Sequence, residues 1–142
     1  MASYAVIDAF TAMIGAAWPH TPIMGLNESG KAPSENSAFL TVTFPVAKEE
    51  QASVGAPGAN IYREEGAAHV CLAIPIGLGI NPPDSPWAQR IDALRAALRG
   101  KTFADGAGVT WEASPPFVNE QSDRGAYFEM SFAVPYRYDV AG

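Results

Sequence analysis

Apolar side chains recur at helical spacing in two stretches of the chain and at strand spacing in several others. In SPWAQRIDALRAALRG, Trp87, Ile91, Leu94 and Leu98 fall at i, i+4, i+7 and i+11, one stripe of a helix over about residues 86–99. Ser85 is placed to cap it, Pro86 to occupy its first position and Gly100 to end it, while Arg95 and Arg99 suit the negative C-terminal end. A second helix is predicted over about residues 4–18. There Ile7, Phe10, Ile14 and Trp18 share a face that Val6 and Met13 widen; Ser3 suits the cap and Pro19 the stop.

Alternation with period two marks the strands. FLTVTFPV (39–46) places Leu40, Val42 and Phe44 on one side and Phe39, Thr41 and Thr43 on the other; Pro45 marks an end or an edge. Asn60–Glu64 and Ala67–Ile76 read as two runs about a turn at Glu65-Gly66, with Val70, Leu72 and Ile74 alternating with His69, Cys71 and Ala73. Val109–Ala113 is a short strand, and YFEMSFAVPYRYD a long one in which Phe128, Met130, Phe132 and Val134 alternate with Glu129, Ser131 and Ala133. A short edge pairing is predicted around Ile23–Leu26, and polar, small-residue loops over 48–58 and 114–125. No repeat of 20–50 residues runs through the chain. The element order predicts an α+β fold: a single domain over residues 1–142, a mainly antiparallel sheet covered by two amphipathic helices.

Composition narrows the classes. At 142 residues, 48% hydrophobic and 17% charged, the chain suits one globular domain with a real core. A net charge of −6 argues against a general nucleic-acid binder. No apolar run approaches a membrane span, and the first fifteen residues lack the basic region of a signal peptide. One cysteine, Cys71, excludes an internal disulfide and suits a reducing compartment.

Catalytic constellations are missing from the sequence. There is no Gly-x-Ser-x-Gly, no phosphate loop, no CxxC and no HExxH, and the Gly-x-Gly of GLGINP runs into Pro82-Pro83 instead of a helix. His69 and Cys71 point to one side of a strand, yet a structural metal site wants four ligands and no second cysteine exists. A strand histidine beside a small thiol is the simpler reading. Glu64-Glu65 after Arg63 reads as a solvated hairpin tip, and Glu49-Glu50 as a solvated loop. No catalytic, cofactor or metal residue is assigned, and the chain is read as a non-enzyme.

The order of signals also has a family likeness. The leading helix, FLTVTFPV, the polar loop, Tyr62-Arg63-x-x-Gly66, a hydrophobic strand ending in Pro75-x-Gly77-x-Gly79, the WAQRIDALRAALRGKTF helix and the closing Tyr136-x-Tyr138-Asp139 cover about residues 4–140. Together they resemble the tail terminator-like proteins of long-tailed phages and phage-derived gene transfer agents. The resemblance implies a virion protein of the tail or neck, assembled in the host cytoplasm. Six copies would form a ring on the head-proximal end of the tail tube, stopping its growth and joining it to the head connector. DNA would pass through the lumen without sequence-specific binding. The partners implied are the chain itself, the tube protein and the connector, with no membrane.

Such a protein needs surface. The residues proposed for it are Lys48, Glu49, Glu50, Arg63, Trp87, Phe117, Arg124, Tyr136 and Tyr138. Tyr127, Phe117, Tyr136 and Tyr138 are aromatic in excess of what a small core needs, and the two loops are expected to order on docking. Part of the negative charge is expected to line the lumen. Another neck or tail-completion adaptor, a non-viral ligand-binding α+β domain, and a small enzyme using Asp/Glu with His69 are the alternative readings.

Overall fold

The computed structural model describes residues 2–25, 37–75, 77, 79, 85–99, 109–111 and 127–142. It has the predicted α+β architecture. Helix α1 (Tyr4–Ala17) and helix α2 (Trp87–Leu98) accompany strands β1 (Ile23–Met24), β2 (Phe39–Gln51), β3 (Ile61–Pro75), β4 (Val109–Trp111) and β5 (Tyr127–Ala141). The strands form one sheet in the order β1-β2-β3-β5-β4. Among the described residues only the short β1–β2 contact is parallel.

The alternation of β2, β3 and β5 builds the core. Leu40, Val42 and Phe44, then Val70, Leu72 and Ile74, then Met130, Phe132 and Val134 are buried beneath the two helices. From α1 come Val6, Ala9, Phe10, Ile14 and the adjoining Trp18; from α2 come Leu94 and Leu98, with Trp87 and Ile91 partly buried. The predicted stripe of α2 is therefore the packed one. On α1 the face centres on Phe10, whose ring meets Phe44 edge-on at 5.7 Å, while Ile7 and Met13 flank it. The other side of the sheet carries a smaller cluster of Met24, Phe39 and Ala73 with Tyr127 against it.

Three local expectations are corrected. Glu65-Gly66 is no turn: β3 runs unbroken through it for 15 residues, paired on both sides. The 48–58 loop is shorter than read, because β2 continues to Gln51 and pairs with Tyr62. The hairpin tip lies at 52–60, where Gly58 takes a positive φ of 85° and Ser53 Oγ accepts the Ile61 N–H at 2.7 Å. Neither serine caps by its hydroxyl. Pro86 itself is the cap residue of α2, and both Ser85 Oγ and Ser3 Oγ are buried without a hydrogen-bond partner among the described residues. Gly100 lies outside the described residues.

β2 does not end at Pro45 but runs on to Gln51; beyond Thr41 no strand lies on its outer side among the described residues. The β2–β3 register shifts between Thr43 and Val46, so Phe44 and Pro45 together oppose Ala68. This bulge reverses the alternation of β2 from Val46 onward.

Candidate functional site

Past the bulge, β2, β3 and β5 extend together as an arm, with the short β4 paired to β5 at Tyr136–Tyr138. The helices cover one side of the sheet up to Tyr136; farther along that side Glu49 and Gln51 are exposed and Tyr62 and Tyr138 are half-buried. The ladder between β3 and β5 persists to the end of the chain, where Asn60 and Gly142 exchange backbone hydrogen bonds at 3.2 and 2.9 Å.

At the root of the arm stands a buried carboxylate. Glu64 is 7% exposed. It accepts the Tyr136 hydroxyl at 2.6 Å and the Ser3 backbone N–H at 3.2 and 3.3 Å, one distance to each oxygen. The acidic side chain thus stands at the N-terminus of α1 and takes an N–H at the capping position, as a glutamate does in a capping box, but from a distant strand. Burial and the neighbouring carboxylate push the Tyr136 hydroxyl far above its ordinary value, so it remains a donor. Glu64 is therefore not a solvated hairpin residue, and Tyr136, 2% exposed, is not surface.

The opposite side of the arm is a regular charge pattern. Across β2, β3 and β5 one row reads Lys48, Glu65, Arg137, with Thr110 of β4 in register beside Arg137; the next reads Glu50, Arg63, Asp139. Signs alternate in both directions. Arg63 Nε and Nη2 hold Asp139 through two bonds of 2.7 and 2.9 Å, and Lys48 reaches Glu50 at 2.6 Å. Arg63 keeps the Asp139 carboxyl below its usual range, with its hydrogen bond as the largest cause. Both partners of that pair are more than a third exposed, so solvent discounts it. The Asp139→Asn variant is expected to leave the thermal midpoint within about 2 °C of the parent, measured by circular dichroism.

The proposed surface residues thus divide. Lys48, Glu50 and Arg63 come together on one side of the arm, and exposed Glu49 and half-buried Tyr138 stand on its other side. Trp87 lies apart, partly buried against the core with Arg90 5.0 Å above its ring. Phe117, Arg124 and the 114–125 loop lie outside the described residues. Exposed apolar side chains missed by the reading are Tyr4, Val46, Val54 and Val140.

Beyond Leu40 and Thr41, which pair with β1, the outer edge of β2 has no strand beside it among the described residues. Alternate residues of such an edge turn their N–H and C=O outward, a template for another chain. Next to it an apolar groove of about 310 Å³ runs between α1 and β1/β2, lined by Ile7, Ile14, Ile23 and Phe44 among others.

His69 and Cys71 lie on the side of the sheet opposite the two helices, where Cys71 is buried. Cys71 Sγ contacts Glu129 Oε2 at 3.6 Å, and no cluster of three or more His, Cys, Asp or Glu among the described residues has metal-site geometry. Burial lowers the His69 pKa from 6.5, partly opposed by Glu129. The folded state then binds fewer protons than the unfolded state just below that value, so stability rises with pH there and falls on acidification. The slope of thermal midpoint against pH between 5.5 and 7 is expected to flatten in the His69→Gln variant.

Among the described residues no helix is long and apolar enough to cross a membrane. No family model and no curated protein matches the chain. Thirteen chains of known structure do. One, a protein that bears only a sequence identifier for a name, aligns over 100% of this chain and 99% of its own, with a TM-score of 0.63 and 20% identity. That likeness is one of fold.

Proposed function

We propose that the chain is a tail terminator-like subunit that forms a ring, six copies on the head-proximal end of a tail tube, and presents the tube to a head connector. The observation that carries this reading is the edge of β2, open beyond Thr41 among the described residues, on a sheet whose strands outrun its helices. Strand pairing at such an edge joins copies head to tail, and head-to-tail contacts close into rings when the rotation allows. The charged Lys48, Glu49 and Glu50 restrict which strand is accepted there, and Pro45 with its bulge limits uncontrolled growth of the sheet. The resemblance in element order, from the leading helix to the Tyr136-x-Tyr138-Asp139 ending, supports the particular assembly.

Native mass measurement across concentration tests the ring. The expected species is six copies of the 15.0 kDa chain, about 90 kDa. Substituting proline for Ala47, on the open edge strand, is expected to reduce assembly while the helical signal persists. A parent chain that is monomeric at every concentration and leaves tail tubes uncapped would contradict the reading.

A further inference from the structure

The charged pattern on the arm is bracketed by apolar positions. On the same side, the row before it is Val46, Ala67 and Pro135; the row after it pairs Ile61 with Ala141, with Ala52 next to Ile61 through its N–H bonded to the Ile61 carbonyl at 2.7 Å. Val46 is 59% exposed, and Ala52 and Ala141 are exposed as well. Four rows therefore read apolar, plus-minus-plus, minus-plus-minus, apolar.

This sequence of rows is its own complement. Rotation by 180° about an axis parallel to the sheet and above this face, across the strands and between the two charged rows, brings each row opposite its counterpart. Lys48 then faces Glu50 of a second copy, Glu65 faces Arg63, Arg137 faces Asp139, and each apolar row faces the other. A two-fold axis along the strands fails, because Lys48 would face Arg137 and Glu50 would face Asp139. The pattern thus selects both a partner and an orientation. Lateral pairing within one sheet accounts for alternating signs, since opposite charges across strands attract. It does not account for exposed apolar rows at matched distances on either side.

We infer that this face of the arm docks on the same face of a second copy, sheet on sheet, about a two-fold axis perpendicular to the strands. With rows about 6.7 Å apart and strands about 4.8 Å apart, the patch covers roughly 400 Å² per copy. That lies in the range of weak contacts, strengthened when several copies are held together in a larger assembly. The contact is isologous, whereas a ring contact is heterologous, so the inference stands independently of the proposed function. It predicts a doubling of whatever unit the chain forms, one copy or a ring.

Charge reversal provides the test. Lys48→Glu leaves two negative groups that face two negative groups of a second copy of the same variant; Glu50→Lys leaves two positives facing two positives. Each variant alone is expected to lose at least about tenfold in the doubling constant by sedimentation, since like charges are then juxtaposed. An equimolar mixture of the two is expected to recover it, because every facing pair is again attractive, and added salt is expected to weaken it. Arg137→Glu mixed with Asp139→Arg repeats the test on β5. Circular dichroism checks that each variant is folded. Recovery on mixing has no explanation within a single chain. A parent chain with no doubling up to about 1 mM, the upper end of weak association, or a mixture no stronger than its components, would overturn the inference.

Discussion

Replacing Gly66 by alanine is expected to cost about 3 kcal/mol of stability, the upper end for overpacking, although alanine is ordinarily better than glycine inside a strand. The reason is steric. Gly66 lies within β3, and a Cβ there would run into the Val46 carbonyl oxygen, with the Tyr136 hydroxyl 2.9 Å away and the Ala47 Cα 3.0 Å away. Two of these obstacles are backbone of the neighbouring strand and cannot rotate aside. β2 would have to separate from β3 at the bulge, where Val46 and Ala47 pair with Ala67 and Gly66. The Tyr136 hydroxyl, which passes over Gly66 to reach Glu64, would be displaced as well. For a chain of this size the loss corresponds to a fall in thermal midpoint of roughly 10 °C. Midpoints for Gly66→Ala and for Gly15→Ala, an open helix position with nothing near its Cβ, make the comparison direct: the first should fall and the second hold or rise. Equal midpoints would mean that the two strands have room to part.

The second large effect is expected at Glu64. Glu64→Ala removes the acceptor of the Tyr136 hydroxyl and of the Ser3 N–H together, and each polar group left buried without a partner costs about 1–3 kcal/mol. Relief of the buried charge offsets part of that, so a net loss of about 2–3 kcal/mol is expected. Glu64→Gln keeps an acceptor oxygen and should lose less. Tyr136→Phe removes only the donor, and the Glu64→Ala/Tyr136→Phe pair should be less destabilised than the sum of the single changes by at least about 1 kcal/mol, as expected for groups in one network. A double-mutant cycle by urea denaturation reads this coupling. Additivity within about 0.5 kcal/mol would show the two residues to be independent.

Much of the architecture is legible from local pattern alone. Both helices and the core faces of β2, β3 and β5 follow from spacing, because burial of one face imposes the period. The failures have particular causes. Gly66 beside a glutamate pair reads as a turn, since glycine serves turns most often; here it serves close approach between strands, which depends on the neighbour. Glu64 shares its parity with Val70, Leu72 and Ile74, and Tyr136 with Met130, Phe132 and Val134. Alternation carried through the polar residues therefore places both on the helix-covered side. Their chemical types pointed outward, and the geometric signal is the one that holds. The charge pattern of the arm was out of reach because it depends on two registers and on the bulge at Phe44-Pro45. Without that bulge, Lys48 and Glu50 would share a face with Leu40, Val42 and Phe44.

The edge of β2 that is open among the described residues and the arm beyond the core offer surface for the proposed ring contact and for assembly on a tube end. The most direct test of that assembly is electron microscopy of purified tail tubes incubated with the chain, with the two ends of each tube scored separately. A six-fold cap at one end is expected, with tubes that no longer lengthen from that end when tube protein is added. Bare ends with continued growth, from a chain shown to be folded, would contradict the proposed assembly.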